Sequence, residues 1–282
     1  MPEALTAVLS ATGEARLIRL ARRVAAAEIL PRFRALDAGA HRAKTRADDL
    51  VTMADTAAER AFAAGVADIL PEAVVIGEEG VSEDPGLLDA LGHADLAVLL
   101  DPVDGTWNFA AGIAAFGMLV AVIHRGETVW GLLYDPVLDD WIVARRDGGA
   151  WHEGAGRAPR RLVLEGATPA HATSFVPLSL FDEDHREEVA RRMARAGRTG
   201  SLRCSCHEYR TLLFGGADGI VNVLAQPWDH AAGALAVAEA GGVAALPDGR
   251  PYAPVPRAGG FVAARSQEAW QRLIDAYGAF LP

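Results

Sequence analysis

The sequence predicts an α+β fold, with sheets and helices layered in two halves, on three observations. Apolar, β-branched runs bunch between residues 96 and 145 and are joined by short Gly-containing turns, the pattern of an antiparallel meander. Helical periodicity flanks that block instead of alternating with it strand by strand. At 282 residues, with 51% hydrophobic and 23% charged, the composition is ordinary for a globular chain and long enough for two cores. The division is placed near Gly148, giving an N-terminal half over 1–148 and a C-terminal half over 149–282.

Leu17, Leu20, Ala21 and Val24 recur at helical spacing with Arg16, Arg19, Arg22 and Arg23 on other faces, so the first element is an amphipathic helix. "HRAKTRADDLVT" (41–52) is polar and aperiodic and reads as a loop. It leads to a second helix carrying Phe62, Val66 and Ile69, which stops before Pro71. "AVVIGEEG" (73–80) is a short strand running into an acidic turn. Leu96 to Leu100 is a buried strand that surfaces in "DPVDGTWNF" (101–109). The meander follows as "FGMLVAVIH", "TVWGLLYD" and "WIVARR". In the second half come a charged helix ("DEDHREEVARRMARA"), a helix from about Cys204, and the strand "GIVNVL" (219–224). "PWDHAAGALAVAEAGG" (227–242) reads as a helix with Asp229 at its N-cap and a Gly pair at its end. A "PDGR" hairpin and a helix from Ser266 close the chain. There is no internal repeat and no low-complexity segment.

The net charge of −10 argues against a nucleic-acid-binding surface. A small anionic substrate stays open, because a metal-lined cleft reverses the local sign. The two cysteines, Cys204 and Cys206, are too close in sequence to bridge easily and suit a reducing cytoplasm. Glu3, Glu14 and Arg16 stand where a signal peptide needs a clean apolar stretch. The longest apolar run, Phe109 to Ile123, contains two glycines and is too short to span a membrane. The expectation is a soluble, cytoplasmic protein with neither a nucleic-acid nor a membrane partner.

Taken singly, each acidic motif has an ordinary structural reading: Asp-Pro-Val-Asp-Gly as a turn, "GEEG" as a solvated loop tip, Asp229 as a helix cap. Together they say more. Glu78, Asp101 and Asp229 all sit at the ends of apolar elements, and Asp104 lies three residues past Asp101. If those ends converge, four carboxylates share a cleft and resist joint ionisation. Hard divalent cations resolve this, since Mg²⁺ takes carboxylate and carbonyl oxygens. Two such ions clamp a phosphate and activate a water. Gly105 would leave room for the phosphate, and the amides of Gly105 and Thr106 could donate to it.

"GEEG", "DPVDGTWNF" and "PWDHAAGALAVAEAGG", with "KTRADDLVTMAD" (44–55) ahead of them, resemble the signatures of the inositol monophosphatase family of metal-dependent, lithium-sensitive phosphatases. Motif order and spacing agree from about residue 15 to 280. The resemblance implies a five-layer αβαβα sandwich, usually a homodimer, and a phosphomonoesterase using two or three Mg²⁺ ions. Glu78, Asp101 and the Val103 carbonyl would hold one ion, and Asp101, Asp104 and Asp229 a second, with a third near Glu78. Thr106 and Asp55, with Glu78 in the catalytic set, would orient and deprotonate the attacking water. Lys44 would ride on a mobile loop that closes over the metals, or is a solvated surface lysine. The substrate would meet Asp104, Gly105, Thr106, Arg203, Ser205, Asn222 and Asp229.

The chain departs from the inositol-specific pattern twice. Asn222 replaces a glutamate seven residues before the Trp-Asp aspartate, and Arg203-Cys204-Ser205 replaces a Gly-Thr-Ala run. The expected substrate is therefore a small phosphorylated metabolite, an inositol monophosphate or a related polyol or sugar phosphate. Histidinol-phosphate phosphatase, fructose-1,6-bisphosphatase, 3′-phosphoadenosine nucleotidase and a regulatory binding protein are the alternatives. "RCSCHEY" (203–209) lacks a second ligand pair for zinc and reads as buried small residues at a helix start. His230 either touches the site or simply fills a helix turn. Trp130, Trp141 and Trp151 read as core or dimer surface, and Arg191, Arg192, Arg195 and Arg198 as a solvated helix face.

Overall fold

The computed structural model describes residues 8–35, 41–43, 50–164, 173–255 and 259–282. Lys44 lies outside the described residues. Helix α1 (Ala11–Val24) starts on a Ser10 cap and runs on through a π-turn, Ala25–Ile29, and a short 3₁₀ turn, Leu30–Arg32. Two short strands, β1 (His41–Ala43) and β2 (Leu50–Thr52), pair antiparallel within the stretch expected to be loop. A polar ribbon has backbone pairing without the period-2 apolar face that would announce it. Helix α2 (Met53–Ala67) follows.

The main sheet has seven strands in sequence order: β3 (Val74–Gly77), β4 (Leu96–Asp104), β5 (Gly117–His124), β6 (Glu127–Asp135), β7 (Asp140–Arg145), β8 (Gly149–Gly154) and β9 (Arg160–Leu162). β3 and β4 are parallel and every later pair is antiparallel, as expected of a meander. The sheet continues past Gly148 through β8 and β9. Short helices α3 (Glu78–Glu83) and α4 (Gly86–Ala90) bridge β3 to β4, and α5 (Thr106–Ala110) follows β4. "GEEG" is thus the start of a helix, not a turn.

The second sheet has the order β11-β10-β12-β14-β13, where β10 is Thr173–Phe175, β11 Arg198–Gly200, β12 Gly219–Asn222, β13 Val243–Ala245 and β14 Phe261–Ala264. Helices α6 (Glu183–Met193), α7 (Ser205–Leu213), α8 (Pro227–Glu239) and α9 (Gln267–Tyr277) complete the fold. Helix α8 begins at Pro227 with Gln226 at the cap, so Asp229 sits inside its first turn and is not the N-cap. Proline is pre-organised for that first position and its missing N–H costs the helix nothing there. Arg198 falls in β11, off the charged helix, whose Arg191 and Arg192 pair with Glu187 and Glu188.

Three cores fill the four interfaces between five layers. On one face of the main sheet Val98, Leu100 and Val120 meet Leu17 and Leu20 of α1 and Phe62 of α2. On the other, Leu99, Leu119 and Ile142 meet Tyr209 of α7 and Ala232 and Leu235 of α8. That core reaches Ile220 and Phe261 of the second sheet, whose far face packs Val221 and Val262 on Trp270 and Leu273 of α9 and Val189 of α6. The layers are α1/α2, sheet, α7/α8, sheet, α6/α9. Helix α8 is apolar nearly all round because it is covered on both sides. Trp130 is core, donating to Glu14 Oε2 at 3.1 Å. Among the described residues, no helix is long and apolar enough to cross a membrane.

Candidate active site

The geometry of the second acidic motif follows from how β4 ends. Asp101 pairs with Leu119 but Asp104 with Gly117, so one extra residue bulges from the strand. Pro102 belongs there because a bulge has no ladder hydrogen bond for its missing N–H to forfeit. The Val103 amide donates to Asp101 Oδ1 at 3.0 Å, which fixes that carboxylate at the strand end. Gly105 then turns the chain with φ +90°, in the left-handed region that favours glycine. A Cβ there would lie 2.9 Å from Ala115 O and 3.1 Å from Cys204 Cβ. The missing side chain makes room for the protein's own backbone and Cys204.

Glu78, Asp101 and Asp229 converge: one carboxylate oxygen of each lies within 4.8 Å of the others. They arrive from three layers' ends, the start of α3, the end of β4 and the first turn of α8. Glu59 on α2 fixes the first of these. Its carboxylate accepts from Glu79 N at 2.8 Å and Gly80 N at 2.7 Å, clamping the open amides of α3. Sequence reasoning missed Glu59, and its only signal is an acid in the alanine-rich run 57–64. Burial, then Glu78, Asp104 and Asp229 in turn, pushes the Asp101 carboxyl well above the ordinary aspartate range. A wholly ionised cluster therefore calls for a cation.

Asp104 is placed differently from its three companions. Its Oδ1 accepts from Ser205 N at 3.1 Å, and its Oδ2 from the Cys206 amide and from Cys204 Sγ at 3.2 Å. It thus caps α7 from the opposite half. Burial raises its carboxyl to about 6, against the pull of those donors. Nearby, Thr106 Oγ1 lies 3.1 Å from both Asp55 Oδ1 and Val103 O, and its single proton goes to one of them. Asp55 is buried at the start of α2.

Glu78, Asp101, Asp104, Thr106 and Asp229 border a cleft of about 760 Å³ that also takes in Arg203, Ser205, Glu208, Asn222 and His230. Arg203 adopts φ +53° at its mouth, with its guanidinium 4.3 Å from the Trp107 ring centroid. Asn108 Nδ2 donates to Ala115 O and Leu202 O, both at 2.8 Å, tying α5 to the same loop. Glu208 Oε1 accepts from Ser201 Oγ and Leu202 N, and burial raises its carboxyl to about 7. His230 must donate from Nε2 to Leu224 O, since a carbonyl only accepts. Its Nδ1 therefore accepts from Tyr209 Oη at 3.3 Å, and burial lowers it to about 4, so it is neutral near pH 7. Cys204 and Cys206 are buried with pKa values pushed well up by desolvation, hence thiols.

Carboxylates gathered from two halves beside a hydroxyl–carboxylate pair, at the rim of a cleft, define a hydrolytic site of the kind that handles phosphate esters. The profile of the inositol monophosphatase family matches residues 12–278, and the chain belongs to that family of phosphomonoesterases. The inositol-1-monophosphatase of Bacillus subtilis is 28% identical over 211 residues, 74% of this chain and 77% of that one. The Nus factor SuhB of Escherichia coli is 31% identical, over 70% and 71%. A fructose-1,6-bisphosphatase/inositol-1-monophosphatase of Thermotoga maritima is 29% identical, over 71% and 72%. Among solved structures, an inositol monophosphatase from Zymomonas mobilis superposes with a TM-score of 0.73 at 24% identity, covering 94% of this chain and 96% of its own. That likeness is one of fold.

Proposed function

We propose that this protein is a Mg²⁺-dependent phosphomonoesterase that hydrolyses a small phosphorylated metabolite, with inositol monophosphate and related polyol or sugar phosphates among its substrates. The observation that carries the reading is the meeting of Glu78, Asp101 and Asp229 beside the Thr106–Asp55 pair. Three carboxylate oxygens at that range fit a hard divalent cation, which neutralises them and, when bound, supplies a water of lowered pKa and charge for the phosphate oxygens. Glu78, Asp101 and the Val103 carbonyl would hold one ion, Asp101, Asp104 and Asp229 a second, with a third near Glu78. For Asp104 this draws on lone pairs that α7 does not use.

Thr106 and Asp55 then do the proton work. A water held on Thr106 Oγ1 attacks phosphorus, giving a proton to that oxygen as the threonine's own proton passes to Asp55. The ester P–O bond breaks, the leaving oxygen takes a proton from solvent to depart as the alcohol, and Asp55 returns its proton to solvent. Asp55 is buried and one hydrogen bond from the hydroxyl, a placement that favours this relay. Arg203, Ser205 and Asn222 line the cleft beyond the phosphate and would meet the rest of the substrate.

The SuhB relatives favour a second reading, a regulatory protein that binds a macromolecular partner. A binding role alone has no need of the intact acidic set. The same proposal includes a homodimer and a cytoplasmic site of action, the former read by light scattering. The deciding assay is phosphate release. It should require Mg²⁺, stop with EDTA, and fall by orders of magnitude in Asp104→Asn and Asp229→Asn with the fold retained. Full turnover in folded Asp229→Asn would overturn the assignment.

A further inference from the structure

The cleft has a second arm, and it is made of a hydrophobic core left open on one side. Val176, Val221 and Val223 are buried members of the core under α6 and α9, and Leu178, Leu180 and Met193 pack against it half-buried. All six also line the cleft. The charged side chains of its wall (Glu78, Asp101, Asp104, Arg203, Glu208 and Asp229) come from the acidic motifs and the α7 loop, none from segment 176–180 or from Met193. The cleft is therefore polarised, with carboxylates at one end and aliphatic side chains at the other.

A cyclitol or sugar suits that second end poorly. Each hydroxyl pressed against leucine or methionine loses its water and gains no partner. An apolar ring gains instead, because it covers the surface that half-buried Leu178, Leu180 and Met193 leave wet, while Val176, Val221 and Val223, at 1%, 0% and 5% exposure, only back them. Asn222 stands where the two ends join, between Val221 and Val223. Its side chain stands against the Tyr209 hydroxyl, whose oxygen it holds by a hydrogen bond.

We propose that this arm is the subsite for an apolar, ring-bearing substrate body, so that the enzyme takes phosphate monoesters of aromatic or heteroaromatic alcohols ahead of cyclitol and sugar phosphates. The proposal rests on the phosphomonoesterase reading and narrows its substrate class. Selectivity then comes from the core of the second sheet, while the acidic end reads only the phosphate.

The test compares kcat/KM for 2-phenylethyl phosphate, glycerol 2-phosphate and inositol 1-phosphate with Mg²⁺. The phenylethyl ester has the least activated leaving alcohol of the three, since the other two carry hydroxyls next to the ester carbon, so a preference for it reports the ring and not the leaving group. The expected preference for the phenylethyl ester over the other two is tenfold or more, the scale of burying one phenyl group, on the order of 1.5–3 kcal/mol. Leu180→Asn and Met193→Gln, each at a half-buried position, should each remove most of it and leave glycerol 2-phosphate turnover unchanged. Equal or lower kcat/KM for the phenylethyl ester in protein that hydrolyses glycerol 2-phosphate would overturn the subsite. So would a preference that survives both substitutions. If none of the esters is hydrolysed, the phosphomonoesterase reading itself fails. Calorimetry then judges the arm alone: 2-phenylethylphosphonate should bind tenfold more tightly than methylphosphonate, and equal affinities refute the proposal.

Discussion

Gly131 on β6 tests whether the packing of α8 sets the position of Asp229. A Cβ at Gly131 would lie 2.8 Å from Ala232 Cα and 3.1 Å from Ala232 O. Those are backbone atoms, so no side-chain rotation relieves the clash. Reaching ordinary contact, which begins at 3.4 Å, requires α8 to lift from the sheet by about 0.6 Å. Ala232 is one turn beyond Asp229 on the same helix, so the carboxylate moves with it. Gly131→Ala should cost about 1–3 kcal/mol of stability, as overpacking does. Because a misplacement of about 1 Å costs up to ~100-fold in rate, kcat should fall by roughly ten- to a hundredfold. Thermal melts, the Mg²⁺ dependence and kcat on glycerol 2-phosphate read these together. Gly92→Ala, whose Cβ meets only Asp89 O at 3.6 Å, is the control and should be nearly silent. A folded Gly131→Ala enzyme with wild-type kcat and metal dependence would refute the claim that this contact positions Asp229.

Glu208 gives a pH prediction: its folded pKa of about 7, raised from the ordinary 4.5, lets the native chain keep a proton that the unfolded chain has released. Native stability should fall as pH rises from about 4.5 to about 7, by on the order of 3 kcal/mol, and stay lowered above. Glu208→Gln keeps the acceptor for Ser201 and Leu202 without the titration, so chemical denaturation should show its stability relative to wild type improving from pH 4.5 to 8; a pH-independent difference speaks against the raised pKa. Thr106→Val keeps the shape and loses the hydroxyl, and steady-state kinetics should show kcat falling by orders of magnitude with KM little changed. Glu59→Gln leaves one good acceptor for two amides of α3, and activity titrations should show a several-fold higher Mg²⁺ requirement, whereas an unchanged requirement would make Glu59 a merely structural contact. Lithium should inhibit uncompetitively, since it matches Mg²⁺ in size with half the charge; an insensitive enzyme would argue against the second ion site around Asp229.

Much of the fold could be read from the chain because its signals are local. The meander announces itself through continuous apolar runs joined by Gly-containing turns, apolar on both faces because Val98 and Leu100 face one core and Leu99 the other. Helix α1 is set by its 3.6-residue period, and α9 by the Ser266 cap. The ligand candidates Glu78, Asp101 and Asp229 could be named because each ends an apolar element and because the motifs around them are distinctive.

Tertiary structure decided what no local pattern encodes. That Glu78, Asp101 and Asp229 come within 4.8 Å depends on two sheets closing over α8, which brings Asp229 to partners more than a hundred positions earlier in the chain. Asp104 caps α7 because that helix's open amides arrive from the other half of the chain. Glu59 matters only because α2 lies beside the start of α3. The start of α8 at Pro227 went to the residue already shaped for a first turn, over the better capping side chain at Asp229. The half-buried leucines and methionine of the cleft wall are invisible as such in sequence, where Leu178, Leu180 and Met193 look like any core residues. Periodicity says that a side chain faces inward, and only the packed layers say whether that interior is closed or opens onto a cleft.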